Sequence, residues 1–163
     1  MVNRKAVFDT TKGKFTIELF EDKMPITTDN FVKLVEKGFY NGIIFHRIIS
    51  GFMIQTGCPY GTGTGGPGYT IRDEYVKGLS NVRGTLSMAN TGRPNTGGSQ
   101  FFINLVDNTF LDFDKEPVTS RHPVFAKVVE GMNVVDAIAG VKTDRHDKPA
   151  IDVRINSVKL VPE

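Results

Sequence analysis

The sequence predicts a mainly β protein: a closed eight-stranded antiparallel β-barrel capped by two α-helices. Three observations carry that prediction. About eight short runs have strand character, and loops rich in Gly, Pro and Asn separate them. Only two segments space their apolar residues for a helix. Strands and helices do not alternate, which argues against a doubly wound parallel sheet. Short strands joined by turn-rich loops fit an antiparallel barrel or a sandwich. The barrel is preferred because closure leaves no exposed edge, and two amphipathic helices can plug its open ends.

The elements follow in order. Ala6-Val7-Phe8 is a short apolar run and Lys12-Gly13 a turn. Phe15, Ile17 and Leu19 then alternate on one face, so residues 6–20 read as a hairpin. Pro25 ends that region. Thr27 and Thr28 are candidate N-caps for a helix running to about Lys37. Phe31, Leu34 and Val35 form its apolar stripe, and Gly38 is a natural residue beyond its end. Asn41-Gly42 signals a turn. Strands are predicted at 43–48 and 52–56, near Thr85-Met88, from Gln100 to Leu105 and from Val124 to Val129. Residues 57–68 hold six glycines and two prolines and form a loop, as does the stretch from Ala89 to Ser99. Asp107 to Arg121 is a long connection. Met132 to Ala139 is a short helix stopped by Gly140, and Val153 to Val161 is the closing strand. No internal repeat or linker divides the chain, so residues 1–163 read as a single domain.

Composition narrows the class. The chain has 12 Phe and no Trp. Phe needs no hydrogen-bond partner when buried, so a Phe-rich interior is easily satisfied. The net charge of +2 is spread along the chain, and no basic or acidic block calls for a nucleic-acid partner. Cys58 is the only cysteine, which excludes an internal disulfide and a cysteine metal cluster. It reads as a small hydrophobe or a surface thiol, and the chain fits a reducing compartment. No apolar region follows the basic start, and no stretch approaches the ~20 apolar residues that span a bilayer. A soluble, cytoplasmic monomer without a membrane partner is expected.

Several chemical sites are disfavoured. His46, His122 and His146 are far apart and none has metal-ligand spacing, so no metal is expected. His46 reads as packed with a satisfied ring nitrogen. Ser99 follows two glycines but lacks a partner base, and no Gly-x-Ser-x-Gly elbow occurs. The run from Gly61 to Gly68 resembles a phosphate loop, yet no helix and no Gly-Lys-Ser/Thr follows.

Two segments remain. Phe45-His46-Arg47-Ile48-Ile49-Ser50-Gly51-Phe52-Met53-Ile54-Gln55 sets one guanidinium in an apolar run. Lone charges are rarely buried unless paired. Strand alternation puts Phe45, Arg47 and Ile49 on one face and Ile44, His46 and Ile48 on the other. Arg47 is then either a surface ion pair or a group aimed into a pocket. The second segment crowds Asn90, Asn95, Thr96, Ser99 and Gln100 around Gly97 and Gly98, which allow another backbone to approach closely. Phe101 and Phe102 face opposite ways in a strand, so one enters the core and the other can line a site. An ordinary polar turn beside two core aromatics is the competing reading.

Phe45-His46-Arg47-Ile48-Ile49-x-Gly51-Phe52-Met53-x-Gln55, Leu86-Ser87-Met88-Ala89-Asn90 and Asn95-Thr96-x-Gly98-Ser99-Gln100-Phe101-Phe102-Ile103 resemble the signature segments of the cyclophilins, the cyclosporin-binding peptidyl-prolyl cis-trans isomerases. Val124-Phe125-x-Lys127-Val128-x-Glu130-Gly131-Met132 matches as well, and the resemblance covers nearly the whole chain. It implies an eight-stranded antiparallel barrel with two helices and an active groove on its outer surface. It gives Arg47 the catalytic position. Phe52, Met53, Phe102, Leu111 and His122 match the pocket for the proline ring. Gln55 and Asn90 match residues that hydrogen-bond the substrate backbone, and Ala89 and Gln100 match further groove positions. The implied partners are proline-containing peptides and flexible protein segments, with no cofactor. Phe110 stands where many members carry Trp, and Phe lacks the indole donor. The resemblance therefore implies cyclosporin binding of reduced affinity. The connection from Asp112 to His122 is longer than the form common in the family. Two other readings stay open: a module that docks proline-containing loops without turnover, and a nucleotide-binding protein using the glycines at 61–68.

Overall fold

The computed structural model describes residues 3–112 and 121–161. The chain runs β1 (Lys5–Thr10), β2 (Gly13–Leu19), α1 (Pro25–Glu36), β3 (Arg47–Ile49), β4 (Met53–Thr56), β5 (Thr85–Met88), β6 (Phe101–Asn104), β7 (Val124–Glu130), α2 (Met132–Ala139) and β8 (Ile155–Val161). A 3₁₀ turn, Thr109–Leu111, follows β6. The expected connection between Asp112 and His122 lies mostly outside the described residues.

The eight strands form one antiparallel sheet in the order β3-β4-β6-β5-β7-β2-β1-β8. The sheet curls into a half-barrel, and its ladder does not close as the sequence predicts. β3 and β8 are the two edges of the sheet and do not pair with each other. β3 is only three residues long, and the chain ahead of each edge strand spans the gap instead. Ile44 faces Arg154 in an isolated bridge. The Phe45 N–H donates to Val153 O at 2.9 Å, and the Ile155 N–H donates to Ile43 O at 2.8 Å. The edges are thus covered without a continuous ring of strands.

The same segment corrects the facing of residues 44–49. The strand predicted over 43–48 begins only at Arg47, so two-residue alternation does not hold across the junction. Phe45 and Ile48 both enter the core, Ile44 and His46 are buried, and Arg47 is exposed.

Helix α1 also starts differently. Thr27 and Thr28 are buried inside it; Met24 is the cap position, with Pro25 in the first turn. Proline suits that turn because its missing N–H needs no partner there. The free amides of the first turn are met from a distant loop. The Glu74 carboxylate accepts from Ile26 N–H at 3.0 Å, Thr27 N–H at 2.6 Å and the Thr27 hydroxyl at 2.8 Å. A carboxylate at that end also complements the helix dipole. At the other end Gly38 takes φ +72°, the left-handed conformation its position needs.

The interior is aromatic. Phe8 stacks on Phe15 at 4.7 Å between ring centroids. Phe101 stands edge-on to Phe8, Phe31 and Phe125 at 5.9, 5.7 and 6.0 Å. Phe31 comes from α1, and Val135 and Ile138 come from α2, so both helices bury their apolar faces in this core. Among the described residues no helix is long and apolar enough to cross a membrane.

Candidate active site

β4 and β6 each serve two sides of the sheet. Ile54, Phe101 and Ile103 point into the interior. Met53 and Phe102 point outward and bury against Leu111 in a second apolar cluster, flanked by Ile49, Phe52 and Ala89. The split of Phe101 from Phe102 follows from strand alternation, as the sequence predicts. Register then brings the polar groups to this outer face. Arg47 pairs with Gln55 across β3 and β4, and Gln55 pairs with Phe102 across β4 and β6. Cross-strand partners lie about 5 Å apart, so the three side chains sit side by side.

A cavity of about 330 Å³ opens here, lined by Arg47, Phe52, Met53, Gln55, Ala89, Asn90, Gly92, Phe102, Leu111 and His122. Nine of these ten are positions that the cyclophilin resemblance marks; Gly92 is the addition. Gln100 lies in the adjoining cavity of about 460 Å³, which shares Gln55, Ala89 and Asn90 with the first. Phe110 stands outside both. It is 57% exposed and stacks on Phe52 at 6.1 Å, forming a rim to the cavity.

No carboxylate among the described residues lies within ion-pair range of Arg47. The guanidinium donates to Gln55 Oε1 at 3.5 Å, a long contact. Among the described residues Arg47 therefore makes no surface ion pair. Gln55 is held from the other side: its Nε2 donates to Gln100 Oε1 at 2.9 Å. Gln100 Nε2 in turn donates to the carbonyls of Gly63 and Gly65 at 3.0 and 2.9 Å. The glycine loop at 57–68 thus anchors a relay that ends at the guanidinium. This is the structural use of a segment that the sequence leaves as a loop.

His122 is fixed three ways. Its N–H donates to Leu111 O at 2.9 Å, its ring meets Phe102 edge-on at 5.1 Å, and Nδ1 lies 2.9 Å from Met88 O. A carbonyl can only accept, so Nδ1 carries the proton. The Asn90 Nδ2 at 3.4 Å from Nδ1 is then a donor beside a donor, a packing contact and not a hydrogen bond. Burial lowers the His122 pKa, opposed in part by the Met88 carbonyl and the Asp73 carboxylate. A neutral ring suits an apolar wall. The side chain of Asn90 is engaged by the protein itself: Nδ2 donates to Arg121 O and Oδ1 accepts from Gly92 N–H, both at 2.9 Å.

Beneath the cavity lies a buried polar network that the sequence reading missed. Asn81 and Ser80 bind the Asp112 carboxylate. Asn104 donates to Asn81 Oδ1 and to the Thr85 hydroxyl, and Asn108 donates to Phe52 O and Asn104 Oδ1. These bonds fix the 3₁₀ turn carrying Leu111 and the backbone of Phe52. The only signal was Asn104, a polar residue inside an apolar strand.

The remaining candidates fall away. The Ser99 hydroxyl is buried and donates to Gly57 O at 2.6 Å. A Cβ at Gly57 would stand 2.3 Å from Ser99 O, so that glycine permits the close approach. His46 is buried, but its Nδ1 has no hydrogen-bond partner among the described residues, contrary to the satisfied ring expected. Burial, with the nearby charges of Arg47 and Lys148, pushes its pKa down to about 4. Cys58 is buried. Burial raises its thiol pKa, and backbone hydrogen bonds from Gly65, Thr62, Tyr60 and Gly63 outweigh that and bring it to about 7.

Comparison with known proteins identifies the family. Residues 6–160 match the family model described as cyclophilin type peptidyl-prolyl cis-trans isomerase. Peptidyl-prolyl cis-trans isomerase-like 1 of Aspergillus fumigatus is 46% identical over 161 residues, covering 96% of this chain and 95% of that protein. Peptidyl-prolyl cis-trans isomerase B of Escherichia coli is 47% identical over 159 residues, covering 94% and 97%. The crystal structure of a cyclophilin type isomerase of Cryptosporidium parvum, in the presence of the dipeptide Ala-Pro, superposes with a TM-score of 0.89 at 32% identity and covers 98% and 99%. With its half-barrel, its outer apolar cavity and these relatives along nearly its full length, the chain belongs to the cyclophilin-type peptidyl-prolyl cis-trans isomerases.

Proposed function

We propose that this chain catalyses the cis–trans isomerisation of X–Pro bonds in polypeptides, with Arg47 stabilising the twisted imide while the outer cavity holds the proline ring. One observation carries the reading: a guanidinium with no carboxylate partner among the described residues lines the same cavity as Phe52, Met53, Phe102 and Leu111. Rotation about a peptide bond faces ~18–20 kcal/mol because resonance gives the bond double-bond character. The two X–Pro isomers differ by only ~0.5–1 kcal/mol, so both are populated and exchange slowly. In the twisted state the imide nitrogen regains its lone pair and can accept a hydrogen bond. A guanidinium aimed at that nitrogen helps the twisted form alone, which is differential binding of the transition state. Arginine stays protonated throughout the useful pH range.

The other residues take supporting roles. The apolar walls immobilise the ring while the acyl side turns. The Gly65–Gln100–Gln55 relay aims Arg47, and the second amide hydrogen of Gln55 Nε2 remains available for a substrate carbonyl. Because its side chain is engaged internally, Asn90 meets the substrate through its backbone. An acceleration of about 10⁵-fold requires ~7 kcal/mol. Orientation and a few preorganised hydrogen bonds suffice, with no cofactor in the scheme.

The reading extends to proline-containing segments of unfolded or flexible proteins as clients, and to a cytoplasmic monomer that assists folding as one unit over 1–163. It extends also to cyclosporin binding weakened by Phe110. Exchange NMR on an Ala-Pro peptide tests the activity: catalytic amounts of protein should bring cis–trans exchange from the tens-of-seconds range into the millisecond range. A peptide that binds and still exchanges at its uncatalysed rate would leave only a docking module.

A further inference from the structure

The loop at 90–97 contributes Asn90 and Gly92 to the lining of the Arg47 cavity, and its Thr91, Arg93, Pro94 and Asn95 are exposed. A left-handed residue marks its turn: Asn95 has φ +59°, which few non-glycine residues adopt unless their surroundings hold them. The holder is Asp73. The Asp73 N–H donates to Asn95 Oδ1 at 2.8 Å, and the Asn95 N–H donates to the Asp73 carboxylate at 2.9 Å. Thr96 carries the restraint across the loop, accepting from Thr91 N–H at 3.1 Å and donating to Arg93 O at 2.7 Å. Thr91 adjoins Asn90, which lines both cavities. The segment bearing Asp73 is fixed in its turn, because Glu74 caps α1 and Ile71 N–H donates to Gly97 O at 2.9 Å.

We propose that Asp73 is a positioning residue for the substrate groove: its clamp on Asn95 sets the 90–97 loop so that the Asn90 backbone stands ready for the substrate chain. The inference rests on the isomerase reading and adds a residue outside both cavities to it. The Asp73 carboxylate is also one of the groups that raise the His122 pKa against the larger effect of burial. A hydrogen bond to a carboxylate outweighs a neutral one, so the Asn95 N–H bond to Asp73 is a charge-assisted restraint on the loop.

The test uses Asp73→Ala, Asp73→Asn and Asn95→Gly in exchange NMR and peptide titration. Asp73→Ala should raise KM about tenfold, the effect of losing a charge-assisted hydrogen bond, while kcat stays within about twofold. Asp73→Asn should recover most of the affinity, since its amide oxygen still accepts from Asn95 N–H. Asn95→Gly tolerates the positive φ but loses the side-chain half of the clamp, so its KM should rise by an intermediate factor. If Asp73→Ala does not fold, Asn95→Gly carries the test. An unchanged KM in the folded variants, an equal fall in kcat, or no recovery with Asp73→Asn would overturn the proposal. A wild-type protein that fails to accelerate exchange rejects the enzyme reading instead, so the two failures are separable.

Discussion

The two faces of β4 and β6 are built from adjacent residues and do opposite work. Inward, Ile54, Phe101 and Ile103 join a cluster of buried side chains that both helices seal. Outward, Met53, Phe102 and Leu111 are almost as well buried, yet they form a floor without a lid. The difference lies in what surrounds each cluster. Interior aromatics meet other aromatics, whereas the outer three are ringed by Arg47, Gln55, Asn90 and His122. An apolar patch rimmed by oriented polar groups is a binding surface. The lesson is that burial alone does not separate core from site; the polar rim does.

The sharpest way to break this contrast is to hollow each side. Phe101→Ala should cost ~3–5 kcal/mol in a denaturant titration, because the ring sits in a closed core that cannot collapse around the void. Phe102→Ala should cost about half as much, since its cavity already opens to solvent. Its kcat/KM should nevertheless fall at least tenfold as the proline ring loses its floor. Equal stability losses at the two positions would contradict the division.

His46 sharpens the comparison from the interior edge. Its folded pKa of about 4 lies below the ordinary 6.5. Between those values the unfolded chain binds more protons than the folded one, so stability should fall as pH drops from about 6.5 towards 4. Above that window the His46 contribution is constant. His46→Leu should flatten part of the decline in melting temperature between pH 7 and pH 5, and a decline identical to wild type would show that His46 takes no part. The smallest expected effect is at the rim. Phe110→Trp enlarges the face stacked on Phe52 and adds an indole donor, so calorimetry should show cyclosporin binding tightened by about tenfold, with exchange catalysis little altered.

Much of this contrast was readable from the chain because it follows from alternation. The Phe101/Phe102 pair divides as a strand must, and the order of the motif segments names the cavity residues before any coordinate. Alternation fails ahead of the strand: it groups Phe45 with Arg47, but β3 begins only at Arg47, and of the two only Phe45 is buried. Closure is not legible, because a sequence shows strand count but not whether edge strands such as the three-residue β3 are long enough to pair. The cap on α1 is not legible because its acceptor, Glu74, is remote in sequence. The Asn81–Asp112 network and the Asp73–Asn95 clamp were illegible for the same reason: both join polar residues of different loops, and loop residues carry no period.

The central claim is that the outer face is catalytic because of one guanidinium. The direct measurement is kcat/KM for Arg47→Ala against wild type on a proline peptide, with melting temperatures taken in parallel. Arg47 is exposed, so the fold should melt within a few degrees of wild type. Turnover should fall by about 10²–10³-fold, the usual effect of removing a preorganised donor from a transition state. A folded variant that isomerises the peptide at close to the wild-type rate would contradict the account.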